Sequence, residues 1–581
     1  MMKFYRYKNF LHFFSLAIII GICFFLFFKR VIFPDNAFDT INYHFFLGKN
    51  GFDNFPFFFK SNEFYPLGMH SFNPIIDIVN YTLYLLLGYR LGTVGSLISV
   101  IGTIVFGAII LHGLFNDYLS KKQKILFFAS FLMIPVFIVN ESLFQIGTYF
   151  TDNVYVFFLM VYLYILFELN DSKRKESYFI FLNVIAGFLA GLIMTKLTNI
   201  IYIIPFLVVN IYLIYKRYIR NNRDGLSRFI IIMLILGLCM IIVNYGGVVN
   251  FLKSNNPVFP YYNKIFHSVY YPETSWPFNF GPTTMTQRIF YPFYALSNPK
   301  SLGEVKDIFP DIKLLMIFFY VIISYLLLRM SKNKLSSNEG IIFFIFLSSF
   351  VLWQIEFGYS RYGIFLEILG GMLSVIFSVR IFKENRGLNY RKIIAAIFLF
   401  YMCFQTVRIV QFNFKHDLSW RSTPKFDEWL NNISSKNIFK KYTVIDKKIE
   451  NRIRDVDVVM QCSNPSSAYF STIKSLKDKP MINLDKGSNH ALTSDNDYMK
   501  KRDSLISSGG TKKNYVKFAA VANKSGGPDS GLSMKRCMDI INGENVDNKK
   551  IEIMEEMKVD NFIGDKNFEL IIWTGIYYLN K

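Results

Sequence analysis

Charged residues, cysteines and internal repeats are all scarce in this chain of 581 residues. Only 18% of the residues are charged and 52% are hydrophobic, and soluble domains rarely have so apolar a composition. The five cysteines are not spaced as metal ligands, and Cys23, Cys239 and Cys403 lie in apolar runs that favour small buried side chains. Cys462 and Cys537 lie in a polar region, and a disulfide between them requires that region to be extracytoplasmic.

A signal-peptide cleavage site is also missing after the first apolar run, so we predict that this run is retained as a membrane helix. Similar runs of roughly 16–25 residues recur over the next 380 or so residues, and each is long enough to cross a hydrocarbon core. We therefore predict about eleven spanning helices. The predicted spans are Phe10–Phe28, Leu91–Phe115, Ile125–Asn140, Asn153–Leu169, Tyr178–Met194, Ile200–Tyr215, Phe229–Tyr245, Leu314–Met330, Ile341–Phe357, Tyr362–Phe382 and Ile393–Val410.

The formal net charge of +22 is concentrated in alternate short loops between these runs. In a soluble chain this excess would suggest a nucleic-acid partner, but here it indicates cytoplasmic loops that face anionic lipid. The short loops of the other set carry only Lys196 and Arg361. We therefore predict a multi-pass protein of the bacterial cytoplasmic (inner) membrane, with the loop after the first span and the C-terminal region on the outer face, and no nucleic-acid partner.

One apolar segment, Asn73–Gly88, is not counted as a span. It contains Asp77 and Asn80, and a crossing here would move two lysine-rich loops to the outer face, against the charge rule. We predict an interfacial helix on the outer leaflet instead. Lys29 and Arg30, which follow the first span, are the main charge evidence against this orientation, and snorkelling of their side chains can explain them.

The composition changes to that of a soluble domain at about Gln411. Short apolar runs predict strands there, and a helix is predicted around Met538–Met557. The predicted strands are Tyr442–Ile445, Val456–Met460, Tyr515–Val521 and Phe568–Tyr577. The predicted fold class is thus a membrane all-α domain over residues 1–411 and a small extracytoplasmic α/β domain over residues 412–581.

The most informative polar stretch follows the first span and contains Asp39-Thr-Ile-Asn-Tyr43-His44. Five other motifs follow it along the chain. They are Tyr65-Pro66 with Tyr89-Arg90-Leu91-Gly92, Gln145 with Thr151-Asp152, Gly191 with Thr195-Lys196-x-Thr198, Asn255-Asn256-Pro257-Val258-Phe259-Pro260, and Arg361-Tyr362. In this order, over residues 1–380, the six motifs resemble those of bacterial GT-C class membrane glycosyltransferases, such as polyprenyl-phosphate-dependent enzymes of the mannosyltransferase and aminoarabinose-transferase kinds.

This resemblance implies an inverting glycosyltransferase with interfacial helices in its first outer loop. It would move a hexose or pentose from a polyprenyl-phosphate carrier to a glycan, lipid or protein acceptor. No cofactor is firmly implied and no metal ligand is assigned, although a divalent metal is left open. Membrane lipids are further expected partners.

The reaction needs a base for the acceptor hydroxyl and a cation for the departing phosphate. Asp39 is the predicted base, and its charge would also stabilise an oxocarbenium-like transition state. Asp152 is predicted to assist catalysis or a metal, with a helix N-cap as the alternative. Tyr43 and His44 are predicted to bind substrate, and a structural hydrogen bond is the alternative for His44.

Arg361 is the predicted phosphate ligand, because its planar guanidinium matches two phosphate oxygens. Lys196 is the second predicted ligand, although a snorkelling side chain explains it equally well. Glu356 and Glu367 flank Arg361, and an ion pair with either of them would take Arg361 out of the site.

Three alternatives remain at this level. A polymerase or ligase of lipid-linked glycans would use two large lipid substrates at the same kind of site. A lipid or glycan transporter without catalysis should place ionisable residues deep in its spans and contain a repeat, and neither is visible in the sequence. A catalytically inactive scaffold that presents the C-terminal domain would leave the predicted site residues without a common cavity.

Overall fold

The computed structural model describes most of the first 415 residues and a smaller part of the remainder. The described residues are 2–32, 35, 39–53, 72–119, 131–171, 174–220, 225–258, 261–268, 281–303, 312–383, 389–415, 447–461, 476, 479, 481–483, 515–523, 551–560 and 569–578. The predicted strand at Tyr442–Ile445, the motif residues Tyr65-Pro66, and Cys462 and Cys537 lie outside them.

The α-helices dominate the described part of the chain. In order they are α1 (Met2–Val31), α2 (Phe45–Asp53), α3 (Ile75–Leu91), α4 (Val94–Leu119), α5 (Met133–Phe137), α6 (Asn140–Phe144), α7 (Asp152–Asn170), α8 (Glu176–Met194), α9 (Ile200–Tyr215), α10 (Leu226–Val243), α11 (Tyr245–Ser254), α12 (Asn263–Phe266), α13 (Met285–Ile289), α14 (Tyr291–Ser297), α15 (Lys313–Met330), α16 (Ser337–Glu356), α17 (Ile364–Lys383), α18 (Asn389–Lys415) and α19 (Lys447–Ile453).

Ten described segments are long and apolar enough to cross a membrane, and they coincide with ten of the predicted spans. The third predicted span, Ile125–Asn140, lies partly outside the described residues, and its described end forms α5 and the first residue of α6. The predicted class, a polytopic helical membrane domain followed by strands, is confirmed.

The contacts of α4 and α7 show that these two helices run parallel. A side-chain carbon at Gly102 would lie 2.6 Å from Phe157, and one at Gly107 would lie 3.7 Å from Met160. The later residue of α4 thus lies next to the later residue of α7, as in two helices that run in the same direction. The chain that joins two parallel helices has to return to the side where the first one started. The described part of this return is α5 and α6, which fits a prediction of eleven crossings.

Helix α17 lies at the centre of the helical domain, since every residue from Ile364 to Ile381 is buried. Small residues allow neighbouring helices to approach it closely, as is common in membrane helix packing. A side-chain carbon at Gly370, for example, would lie 2.6 Å from the ring of Phe346 on α16. Arg361 lies just before α17. The close packing of this helix therefore holds the turn that carries Arg361 in a fixed position.

Helices α2 and α3 form the described part of the first long loop and pack against each other. Gly48 permits this contact, because any side chain there would collide with the backbone carbonyl of Asp77. Helix α3 is not among the ten membrane-crossing candidates, and at its end Gly88 has a φ of 85°, which turns the chain into α4. The interfacial position predicted for Asn73–Gly88 stays a prediction.

Snorkelling is not what accommodates Arg30 at the end of α1. Its guanidinium is buried and donates hydrogen bonds to the carbonyls of Phe144 and Ile146, both at 3.2 Å, and to Asn413 Oδ1 at 3.0 Å. The carbonyls at the end of α6 and just after it give this charge a polar environment inside the protein. Arg30 thereby ties the start of the first loop to the segment that precedes α7.

The C-terminal region contains one mixed sheet. Its strands are β1 (Val458–Gln461), β2 (Met481–Asn483), β3 (Tyr515–Asn523), β4 (Ile551–Asp560) and β5 (Glu569–Tyr578). The order is β2-β1-β3-β5-β4, with β1 parallel to β2 and β3, and with β5 antiparallel to β3 and β4. Apolar residues of α19 and this sheet belong to the same buried cluster as residues of α2 and α3, so the sheet domain packs next to the first loop.

The helix predicted around Met538–Met557 is wrong over its described part, because β4 begins at Ile551. Glu and Met favour helices in isolation, but β4 pairs along its length with β5. The side chain of Trp573 donates a hydrogen bond of 3.0 Å to Glu556 across this pair. Cross-strand contacts of this kind override local propensity.

The loop charges predict how the helical domain is oriented. A reporter inserted at Asp171 is expected in the cytoplasm, and a reporter fused after Lys581 is expected on the outer face, because an odd number of the predicted spans lies between the two positions. Alkaline phosphatase and green fluorescent protein fusions measure the two positions. Finding both reporters on one side of the membrane would contradict this orientation.

Candidate functional site

The site begins at a wide helical turn, Thr40–His44, that links α1 to α2. Asp39 lies immediately before this π-helical turn, and the backbone N–H of Phe45 donates to the carbonyl of Thr40. Turns of this type close a hydrogen bond over five residues and often occur at functional sites. Because Asp39 and His44 are five residues apart, they lie about one turn from each other on the same side.

Arg361 joins the two predicted catalytic carboxylates. Its Nη1 atom lies 2.6 Å from Asp39 Oδ2, and its Nε atom lies 2.9 Å from Asp152 Oδ2. Lys196 Nζ donates a hydrogen bond to the other oxygen of Asp152. We call these four residues the ion-pair chain; it joins side chains from four motifs that are far apart in the sequence.

Aromatic rings enclose the cations of the ion-pair chain. The guanidinium of Arg361 lies 4.3 Å from the ring centre of Phe150, and Lys196 Nζ lies 5.9 Å from that of Tyr155 and 5.7 Å from that of Tyr362. Rings at these distances attract cations and exclude water. The two charges are therefore held in place in partly desolvated surroundings.

The electrostatics of Asp39 follow from this arrangement. Burial alone would raise the pKa of Asp39, but the charge of the neighbouring Arg361 and its hydrogen bond act against burial, and the pKa lies below its usual value. The pKa of Lys196 is also lowered, because burial and the charge of Arg361 act against the carboxylate of Asp152. The geometry thus favours an ionised carboxylate at Asp39, held beside two cations.

His44 is oriented by a carboxylate on another helix. Its Nδ1 atom lies 2.7 Å from Oδ1 of Asp77 on α3, and both side chains are almost completely buried. Its ring centre lies 4.2 Å from that of Tyr43 and 6.3 Å from that of Phe150. Among the described residues, the other ring nitrogen, Nε2, has no hydrogen-bond partner.

The structure distinguishes between several alternatives from the sequence. The carboxylate of Asp152 bonds to Lys196 and Arg361 rather than capping α7, whose cap position is occupied by Thr151. Glu367 lies 2.7 Å from Lys313, and Glu356 accepts a long hydrogen bond from Tyr262. Arg361 is thus paired with the two carboxylates that the motifs single out. This is a finding about position, and the roles of these residues stay proposals.

The sequence analysis assigned no role to two acidic residues near the site. Asp77 is the one acidic residue of the largely apolar helix α3, which was the available signal, but its contact with His44 depends on the packing of α3 against the first loop. Asp35 is fully buried, and its Oδ2 atom accepts hydrogen bonds from Thr40 Oγ1 at 2.7 Å and from the backbone of Tyr149 at 2.8 Å.

Asp35 therefore connects the turn that carries Asp39 with the segment that carries Asp152. Replacing Asp35 by asparagine keeps the shape but removes the charge that strengthens both hydrogen bonds. We expect turnover to fall by about tenfold, with little change in protein yield, because a charge-assisted hydrogen bond contributes only modestly more than a neutral one. Turnover of Asp171→Asn, far from the site in sequence, is the control, and equal turnover in the two variants would contradict a positioning role for Asp35.

No three His, Cys, Asp or Glu residues are grouped as metal ligands within the ranges that the structure describes. The described side chains of the site are instead two cations, three carboxylates, an imidazole and several rings. Such a set is suited to holding an anionic group next to a proton acceptor.

Comparisons with known proteins give matches in structure only, since no protein-family model and no curated protein matches the chain. The chain is similar to ArnT from Cupriavidus metallidurans in the apo state, with a TM-score of 0.48, 10% identity, and 96% of this chain and 97% of that chain covered. The same protein bound to undecaprenyl phosphate matches with a TM-score of 0.47, at the same identity and coverage.

An oligosaccharyltransferase from Archaeoglobus fulgidus, tethered to an acceptor peptide, matches with a TM-score of 0.44 and 12% identity, covering 88% of this chain and 69% of that chain. These overlaps concern the fold alone, and the resemblance to the GT-C class rests on the sequence motifs. Overlaps at this level identify neither a donor nor an acceptor, so these have to be inferred from the side chains.

Proposed function

We propose that this protein is an inverting membrane glycosyltransferase that moves a sugar from a polyprenyl-phosphate carrier to an acceptor on the outer face of the membrane. The observation that carries the proposal is the ion-pair chain, in which Arg361 joins Asp39 to Asp152 and Lys196. These groups lie outside or at the first turn of spanning helices. A polyprenyl-phosphate sugar that enters from the bilayer would have its phosphate at the level of these helix ends and its sugar toward the outer face.

The two cations of the chain supply the phosphate grip. A sugar linked to a lipid phosphate carries one negative charge, and a second charge develops on the phosphate as the sugar leaves. Arg361 and Lys196 each form an ion pair with Asp152. An arriving phosphate therefore has to compete for these cations with carboxylates that already hold them in position. Asp152 thus keeps both cations together, at the cost of some binding energy.

Asp39 supplies the negative charge at the reacting carbon. An oxocarbenium-like transition state is positively charged, and an ionised carboxylate beside it lowers the barrier. The ion pair with Arg361 keeps Asp39 ionised. That same ion pair weakens Asp39 as a proton acceptor, and the base role predicted for it from the sequence stays a prediction.

The distribution of charge also bears on the transporter alternative. The buried ion pairs of the spanning helices lie near helix ends: Lys313 begins α15 and pairs with Glu367 near the start of α17, and Glu339 near the start of α16 pairs with Arg380 near the end of α17. A transport pathway would instead place ionisable groups near the middle of its helices. These positions favour an enzyme that acts at the membrane boundary.

The experiment uses the full-length protein in lipid vesicles and a panel of polyprenyl-phosphate hexoses and pentoses that are radiolabelled in the sugar. We expect the protein to remove the label from at least one donor and to leave polyprenyl phosphate, whereas empty vesicles do not. Supplying crude outer-membrane glycans and lipids then identifies the acceptor by label transfer. If monodisperse protein releases no label from any donor, with or without acceptors, the proposed function is wrong.

A further inference from the structure

His44 lies about one turn from Asp39, and only one of its two ring nitrogens is bound by a described residue. The ring is about 5% exposed, Nδ1 is held at 2.7 Å by Asp77, and within the described residues Nε2 has no hydrogen-bond partner. A buried polar atom without a partner is unfavourable in a folded protein unless a ligand satisfies it. Nε2 therefore points to a group that arrives with the substrates.

The contact with Asp77 decides what that group has to be. An ionised carboxylate accepts the proton of Nδ1, and the neutral imidazole then carries its lone pair on Nε2. Nε2 consequently accepts a hydrogen bond and cannot donate one until the ring is protonated. A hydroxyl group is a suitable partner, whereas a phosphate oxygen is a poor partner for the neutral ring.

Charged groups surround the ring on several elements. Asp77 faces it from α3, Asp39 lies one turn before it, and the charge of Lys196 acts on the Asp77 carboxylate. Counting Asp152 and Arg361 as well, three carboxylates face two cations, so a neutral His44 leaves this cluster with one net negative charge. A proton on Nε2 would make the cluster neutral.

We propose that His44, oriented by Asp77, is the general base that accepts the proton of the acceptor hydroxyl. This inference rests on the proposed sugar transfer and assigns the proton acceptor of the same site. The acceptor O–H bond breaks and its proton goes to Nε2, while the hydroxyl oxygen forms a bond to the anomeric carbon. The bond from that carbon to the phosphate oxygen breaks, and its electron pair leaves with the lipid phosphate.

Under this assignment, His44 and Asp39 share the chemistry between them. Asp39 remains ionised beside Arg361 and stabilises the sugar's positive charge, and His44 takes the proton. Asp77 is a positioning residue, because it acts on the acceptor only through the ring. A carboxylate paired with arginine is a weaker base than an imidazole paired with a carboxylate, so the division follows from the two observed contacts.

The test measures kcat/KM against pH with whichever labelled polyprenyl-phosphate sugar the panel assay identifies. A base acts only while it is unprotonated, so the wild-type rate is expected to fall on the acid side. His44→Gln should lose roughly 10²- to 10⁴-fold of the rate, and its residual activity should lack this acid limb. Binding of polyprenyl phosphate, which requires no proton transfer, should change by less than about threefold.

The variant Asp77→Asn provides a second test of the base assignment. It should keep part of the activity and move the acid limb to lower pH, because the protonated ring loses its negative partner. Asp53→Asn on α2, where the carboxylate pairs with Lys49, and His112→Gln in α4 are the matched controls and should behave as wild type. Should His44→Gln not be monodisperse, the shift of the limb in Asp77→Asn decides the question.

The possible failures are distinct. An acid limb that persists in His44→Gln, or a His44→Gln variant that keeps the wild-type rate, would overturn the inference and return the base role to Asp39 while leaving sugar transfer intact. An Asp77→Asn profile identical to wild type would also overturn it. Absence of sugar release by the wild-type protein would instead refute the proposed function itself.

Discussion

Replacing Asp39 by asparagine is expected to lower turnover by on the order of 10²-fold or more. The asparagine keeps the size of the side chain and removes the charge that stabilises the developing positive charge on the sugar. Donor binding should survive, because Arg361 keeps its contact with Asp152 at 2.9 Å. Since Asp39 also competes with the phosphate for Arg361, the KM for the donor should stay constant or fall.

The measurement is single-turnover release of labelled sugar from polyprenyl phosphate, together with equilibrium binding of polyprenyl phosphate to the same preparation. Asp53→Asn, the α2 control, should match the wild-type protein in both. A loss of binding that parallels the loss of turnover would mean that Asp39 acts structurally. Wild-type turnover in Asp39→Asn would remove it from the catalytic mechanism.

The residues of the ion-pair chain could be identified from the sequence, but the way in which they pair could not. Lys196 and Arg361 were identifiable because they are the cations of loops that otherwise lack them, and Asp39 and Asp152 because each follows or begins an apolar run. Their pairing depends on the packing of α17 against helices more than 150 residues earlier in the chain, and no local pattern encodes such a contact.

The dyad of His44 and Asp77 shows the same limit at shorter range. Both residues were visible in the first loop, and the role of His44 was left open between substrate binding and a structural bond. The close approach of α2 to α3 at Gly48 determines that the ring meets Asp77. Spacing along the chain does not carry this information, because residues 54–71 separate the two described parts of the loop.

Apolar run length was a reliable guide to the spanning helices, since the bilayer thickness sets it. The predicted span Ile125–Asn140 lies partly outside the described residues and stays a prediction; its described end forms α5 and the first residue of α6. In the C-terminal region, helix-favouring residues in β4 gave the wrong structure because pairing with β5 dominates. The membrane-facing part of the fold was thus more predictable than the sheet.

Exchanging Arg361 for lysine is expected to weaken the phosphate grip although the positive charge remains. One ammonium group does not reproduce the planar fork that contacts Asp39 at 2.6 Å and Asp152 at 2.9 Å, and it loses the stacking on Phe150. The expected loss is roughly 1–3 kcal/mol in transition-state binding, which corresponds to a decrease of about 5- to 150-fold in kcat/KM.

Arg288→Lys is the matched control, because Arg288 lies in α13 and donates to the carbonyl of Ile355 at 2.7 Å without touching the ion-pair chain. Affinity for polyprenyl phosphate should fall in Arg361→Lys and not in Arg288→Lys, and more strongly at high salt, since a lone ammonium is more easily screened than a pre-oriented fork. Asp39 would also become a better base once Arg361 no longer holds it. Wild-type affinity and rate in Arg361→Lys would instead identify Lys196 as the main phosphate ligand. Lys196 bonds to the other oxygen of the same carboxylate, Asp152.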